Sequence, residues 1–217
     1  MLNTLIIILA LILLPTLLWF ENKVDRRGML PTKTALSLLF IVTALVQPHP
    51  IGRYYGLLLA GLIFCLGGDV FLALPQKKMF LLGLISFLIG HVFYVLAFLT
   101  IAHMTGWVWI GYAITIGISV VVFNWLKPHL GTMTIPVLFY VIVITAMVCA
   151  ALTVFGNPTL RDAGRNMILA GAIAFYLSDL FVARDRFLKN EFINRFIGLP
   201  LYYLGQFLLA FSVGFLK

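Results

Sequence analysis

The 217 residues are 63% hydrophobic and only 10% charged. That leaves too little polar surface to coat a soluble globule and excludes a water-soluble enzyme or binding domain. The formal charge of +8 is no nucleic-acid footprint, because the Lys and Arg residues gather at the ends of apolar runs instead of forming a stripe; lipid headgroups are the expected counter-charges.

A helix needs about 20 apolar residues to cross a hydrocarbon core of about 30 Å, so with short loops a chain of this length crosses about eight times. The expected fold is all-α, a polytopic membrane protein forming one transmembrane domain over 1–217. In chain order, the apolar runs predict helices over 2–20, 31–47, 53–74, 79–101, 107–126, 133–155, 164–183 and 195–216. The first run lacks a basic start and a small-x-small cleavage site before Glu21, so it reads as a retained helix and not a signal peptide. The breaks are chemically legible: the charged stretch Glu21 to Gly28, Pro48 and Pro50 around His49, Pro75 before Lys77, Lys127 before Pro128, and Asn157 before Pro158. Gly52 and Gly56 form a GxxxG spacing, a weak signal for close helix approach. Cys65 and Cys149 fall inside apolar runs without metal-type spacing and read as small hydrophobes.

Cytoplasmic loops retain the excess of Lys and Arg. The loops after the first, third, fifth and seventh helices hold 11 of the 15, against 4 on the other side, so both termini are expected to be non-cytoplasmic. Gly68-Asp69-Val70-Phe71-Leu72-Ala73 is echoed by Ser178-Asp179-Leu180-Phe181-Val182-Ala183, 110 residues and four helices later. Such an echo fits two parallel four-helix halves related by an axis along the membrane normal.

The echo places Asp69 and Asp179 at matching depths, each roughly 10–12 Å inside the basic surface at 1.5 Å per residue. An aspartate there costs several kcal/mol unless it pairs, faces a polar cavity or is protonated, which makes it a functional-site candidate. The alternative is a structural one, in which each acid neutralises a nearby base, Lys77 or Arg184. Two carboxyl groups sharing one low-dielectric site hold a single proton between them, one an acid and the other a base. That division of labour cleaves acetal-like bonds through oxocarbenium-like transition states.

The other polar residues of the spans are few. His91 and Tyr94 share a face of the fourth helix, Tyr202, Tyr203 and Gln206 a face of the eighth, and Tyr176 lies one turn before Asp179, where it is expected to donate to it. Each has a bland counterpart: an interhelical bond for His91, an aromatic belt for the tyrosines, helix glue for Gln206. Lys33, at the start of the second helix, is expected either to meet a lipid phosphate or to snorkel. Few further oxygen or imidazole ligands lie near the acids, so no metal or cofactor is expected. No Walker loop, HExxH or GxSxG is present, and Leu66 stands where the GxGD of intramembrane aspartyl proteases needs glycine.

Gly68-Asp69-Val70-Phe71-Leu72, Gly90-His91 with Tyr94, Pro136 with Tyr140, Ser178-Asp179 before Arg186-Phe187, and Tyr202-Tyr203 with Gln206, in this order and spacing, resemble the YhhN family of membrane proteins, which includes the lysoplasmalogenases. The resemblance implies hydrolysis of the vinyl ether bond of a lysoplasmalogen, giving a fatty aldehyde and a glycerophospho-ethanolamine or -choline. It implies Asp69 and Asp179 as the catalytic pair, their roles unassigned, and Lys33, His91, Tyr94, Tyr176, Tyr202, Tyr203 and Gln206 as substrate-binding positions. The implied partners are a lysophospholipid and the bilayer, with no nucleic acid; composition leaves the oligomeric state open. The setting is a bacterial inner membrane, or the endoplasmic reticulum in a eukaryote. The competing reading is a proton-coupled transporter of lipids or small molecules, which also uses intramembrane acids.

Overall fold

The computed structural model describes residues 1–216, so Lys217, one of the four basic residues set on the opposite side by the charge count, lies outside the described residues. Within them the chain forms α1 (Leu2–Lys23), α2 (Arg26–Val46), α3 (Gly52–Ala73), α4 (Lys77–Leu99), α5 (Val108–Leu130), α6 (Thr134–Phe155), α7 (Asp162–Ala183) and α8 (Phe192–Ser212). No strand is present among the described residues. Six stretches are long and apolar enough to cross a membrane, one of them the 48-residue run Val108–Phe155 that holds both α5 and α6. The chain is therefore a multi-pass membrane protein. α8, which bears Asn194, Arg195 and Gln206, is not among the six. α1 turns exposed Leu5, Ile8 and Ile12 outward, a face suited to hydrocarbon.

Two predicted turns move. The charged stretch from Glu21 to Gly28 is almost wholly helical: the chain reverses at Val24, whose φ is 55°, and α2 starts at Arg26 because the Asp25 carboxylate accepts from the Arg27 N–H at 3.1 Å. Lys127-Pro128 does not end α5. Proline in a last turn leaves the earlier ladder intact, and the break falls at Gly131, with φ 52°, in a short 3-10 turn Gly131–Met133. α5 and α6 pack against each other across that turn. Asn157 behaves as its Asn-Pro context predicts, its side-chain oxygen accepting from the Thr159 N–H at 3.0 Å and its amide donating to the Ile101 carbonyl at 2.9 Å.

α2, α3, α4, α6, α7 and α8 pack in succession, and α8 returns to α2; α1 flanks α2 and α8, and α5 flanks α6. α3 with α4 and α7 with α8 are the most extensive pairs. Both rest on glycines. A Cβ on Gly61 would stand 3.0 Å from the Gly90 carbonyl oxygen, and one on Gly171 would stand 3.0 Å from that of Gly205. The GxxxG pair plays no such part: a Cβ on Gly52 or Gly56 would meet nothing within 4 Å. Gly61 lies two turns before Asp69 and Gly171 two turns before Asp179, so each close crossing fixes the height of the acid beyond it.

Candidate active site

Asp69 and Asp179 each sit one turn before the last residue of their helix, α3 ending at Ala73 and α7 at Ala183. At 1.5 Å per residue that is about 6 Å from the helix end. α7 continues beyond Ala183 as a π-helical turn, Arg184–Leu188. The acids line one cavity of about 360 Å³, together with Lys33, Tyr140, Tyr176 and Tyr202.

Their surroundings differ. Asp69 is 1% exposed, and both of its oxygens are engaged: Oδ2 accepts from the Ser37 hydroxyl at 2.6 Å and the Tyr202 hydroxyl at 2.5 Å, while the Lys33 ammonium lies 3.5 Å from Oδ1. Three charge-complementing groups from α2 and α8 thus hold a carboxylate on α3. Lys33 is itself buried, with 8% exposure, and lines the cavity with its ammonium turned to Asp69. Of the bases proposed as structural neutralisers, Arg184 pairs with Glu191, and the Lys77 side chain lies outside the described residues. Asp179 takes a single hydrogen bond, from the Tyr140 hydroxyl of α6 to Oδ2 at 2.7 Å. Among the described residues it has no ion pair, and its Oδ1 has no hydrogen-bond partner.

The model of the YhhN family matches residues 28–213. The chain belongs to the YhhN family. Two mycobacterial proteins named lysoplasmalogenase, from Mycobacterium bovis and Mycobacterium tuberculosis, are each 30% identical to it over 189 residues, covering 84% of this chain and 68% of theirs. A Bos taurus protein named lysoplasmalogenase TMEM86A is 31% identical over 158 residues, 70% of this chain and 62% of its own. No solved structure matches.

In this YhhN-family chain the remaining expected site residues divide into three groups. Tyr94, Gln206 and Tyr202 form a buried relay to Asp69: the Tyr94 hydroxyl donates to Gln206 Oε1 at 2.7 Å, and Gln206 Nε2 donates to the Tyr202 oxygen at 3.2 Å. Tyr94 and Gln206 therefore connect to Asp69 through Tyr202 and do not line the cavity. Tyr203 points elsewhere, its hydroxyl 3.4 Å from the Lys33 carbonyl oxygen. Tyr176 lines the cavity but does not donate to Asp179 as expected; its hydroxyl lies 2.9 Å from that of Ser119 on α5, which in turn meets Thr145 at 2.7 Å. Helical spacing put Tyr176 on the correct face, but α5 offers a hydroxyl that the sequence does not single out.

His91 is fully buried behind the cavity, among the rings of Tyr94, Tyr140 and Phe175, with centroids 6.2, 5.3 and 4.5 Å away. Neither ring nitrogen has a hydrogen-bond partner among the described residues. It backs Tyr140, which bonds to Asp179, and does not line the cavity. Ser37 and Tyr140 are the side chains the sequence reading did not select. A serine in an apolar helix carries no signal, whereas Tyr140 stands within the family pattern beside Pro136. Among the described residues no three His, Cys, Asp or Glu side chains converge as a metal-ligand set.

Proposed function

We propose that this chain is a lysoplasmalogenase, cleaving the vinyl ether bond of a lysoplasmalogen to a fatty aldehyde and a glycerophospho-ethanolamine or -choline. The observation that carries the reading is the unequal environment of two carboxyl groups on one cavity. Asp69, with an ammonium and two hydroxyls on it, is the charged member. Asp179, with a free oxygen and no cation partner among the described residues, is the proton donor. The relatives named lysoplasmalogenase support the chemistry.

In the proposed reaction, the Asp179 carboxyl delivers its proton to the β-carbon of the vinyl ether, and the positive charge collects on the oxygen-bearing carbon as an oxocarbenium ion. The fixed negative charge of Asp69 stabilises that cation. Water adds to the cationic carbon, its proton passes to the Asp179 carboxylate, and the hemiacetal collapses to aldehyde and the free glycerol hydroxyl. Tyr140 orients the donor; Ser37, Tyr202 and Lys33 hold the counter-charge in place without moving protons.

The same reading includes a membrane orientation. We take all eight helices as crossings, counting α5 and α6 separately and α8 as a span whose polar face is turned inward, with both termini non-cytoplasmic. We also take the helices as two four-helix halves. Support comes from the paired crossings Gly61–Gly90 and Gly171–Gly205, and from the packing of α4 on α6 and of α8 on α2. The acids then lie in the cytoplasmic leaflet of a bacterial inner membrane or, in a eukaryote, of the endoplasmic reticulum. The test is aldehyde release by purified protein from lysoplasmenylethanolamine and lysoplasmenylcholine, with Asp69→Asn and Asp179→Asn alongside. Both variants should fall by at least about 100-fold. Full activity in either, or lipid movement in proteoliposomes without any turnover by the intact chain, overturns the reading.

A further inference from the structure

The cavity that holds the acids is also lined by charged groups from the α1–α2 turn and the π-helical turn after α7. Several charges at this end are paired. Arg184 and Lys189 both pair with Glu191, at 2.8 and 2.6 Å, and Lys33 pairs with Asp69. Two guanidinium groups on the cavity do not: among the described residues, neither Arg26 nor Arg186 has an ion pair or side-chain hydrogen bond. Arg186 instead lies over the Phe80 ring, 4.3 Å from its centroid. Both are exposed, so the cavity reaches the surface where they stand. A guanidinium stacked on a ring keeps its N–H groups free and pre-aimed, the arrangement that suits a phosphate.

One carboxylate on the cavity is equally under-matched. Glu21, at the end of α1, is 7% exposed, accepts no side-chain hydrogen bond among the described residues, and has one ion pair there, to Arg195 at 3.8 Å; Lys33, the other cation that acts on it, is held by Asp69. Arg195 is shared with Asp185 at 3.3 Å. A buried carboxylate whose cations are both shared with other acids favours one of its own.

We propose that this mouth is a receptor for a zwitterionic headgroup, in which Arg26 and Arg186 bind the phosphate and Glu21 binds the ammonium of an ethanolamine or choline lysophospholipid. The assignment rests on the reading of the cavity as a lysophospholipid site, and it makes headgroup selection a property of α1, α2 and the π-helical turn, separate from the acids. A lipid without phosphate loses the two guanidinium contacts; one with phosphate but no ammonium leaves Glu21 under-neutralised beside a second anion.

The test uses the full chain in an uncharged maltoside detergent, with binding measured by calorimetry. The probes are four lipids of one acyl chain: lysophosphatidylethanolamine, its N-acetylated form, lysophosphatidate and monoacylglycerol. None contains a vinyl ether, so binding is read without turnover. The intact chain should bind lysophosphatidylethanolamine at least tenfold more tightly than monoacylglycerol and severalfold more tightly than the N-acetylated form. Arg26→Gln with Arg186→Gln should weaken every phosphate lipid about tenfold and leave monoacylglycerol unchanged. Glu21→Gln should weaken lysophosphatidylethanolamine alone. If that variant does not keep its thermal transition, the comparison between the amine and its N-acetylated form carries the ammonium assignment without a mutation. Equal affinity of the intact chain for phosphate-bearing and phosphate-free lipids, or phosphate lipids indifferent to loss of both arginines, overturns the proposal. So does an N-acetylated lipid bound as tightly as the free amine. Selective binding without aldehyde release from a vinyl ether lipid would refute the hydrolase reading and leave the receptor standing; aldehyde release without selectivity would do the reverse.

Discussion

Replacing Lys33 by methionine keeps most of the volume of the side chain and removes the ammonium that faces Asp69. The two charges are 3.5 Å apart, and their side chains are 10% and 2% exposed. At that separation their attraction is about 5 kcal/mol at an effective dielectric of about 20. Breaking a buried pair from one side costs about 3–5 kcal/mol, because the remaining charge is stranded. Lys33→Met should therefore lower stability by that amount, read as the midpoint of denaturant unfolding in detergent, and should abolish aldehyde release by freeing Asp69 to take up a proton. Lys33→Met combined with Asp69→Asn strands no charge, so it should recover most of the stability and none of the activity. A single variant as stable as the unmodified chain, or a double variant no more stable than Lys33→Met, would refute the assignment of Asp69 as the charged member of the pair.

Tyr140→Phe removes the one hydrogen bond on Asp179, at 2.7 Å, and should lower kcat about tenfold while leaving KM near its starting value, as steady-state aldehyde assays would register. Gly171→Ala places a methyl group 3.0 Å from the Gly205 carbonyl oxygen and from Leu209, so it should cost about 1–3 kcal/mol; Gly56→Ala, which meets nothing within 4 Å, should be neutral in the same unfolding measurement. In the loop after the π-helical turn, the Lys189 hydrogen bond, followed by that of Arg184, holds the half-buried Glu191 carboxyl below the ordinary carboxylate range. A lowered value gives a contribution that is present above the usual Glu value of about 4.3 and lost as the pH falls through the lowered one. The protection of the Arg184–Leu188 amides, taken from their exchange rate relative to free peptide at the same pH, should therefore fall on acidification in the intact chain, and Glu191→Gln should flatten that dependence.

What the sequence displays and what it hides follow from the range of each interaction. Asp69 and Asp179 stand out because an acid in an apolar run is costly wherever its neighbours lie, and the hexapeptide echo around them survives as the same position on α3 and α7. The turn at Asn157 is local chemistry and is read correctly. Partner choice is not local. Lys33 and Asp69 come from different helices and meet only because α2 packs on α3; read alone, each has an ordinary explanation. Tyr176 lies on the expected face of α7, yet its hydroxyl bonds to Ser119, because α5 rather than α7 itself supplies the nearest polar group. The GxxxG spacing at Gly52 and Gly56 misleads for the opposite reason: the close contacts use single glycines facing each other across α3–α4 and α7–α8, a pattern visible only once the helices are paired.

The proposed role of Asp179 is tested most directly by the fate of one proton. Purified protein in deuterium oxide, given a lysoplasmenyl lipid and sampled early, should release an aldehyde with one deuterium on the carbon next to the carbonyl, where the vinyl ether β-carbon was. Asp179→Asn should release none above background. Aldehyde without deuterium at that carbon, or labelled aldehyde from Asp179→Asn at the rate of the intact chain, would contradict the assignment of Asp179 as the acid that opens the bond.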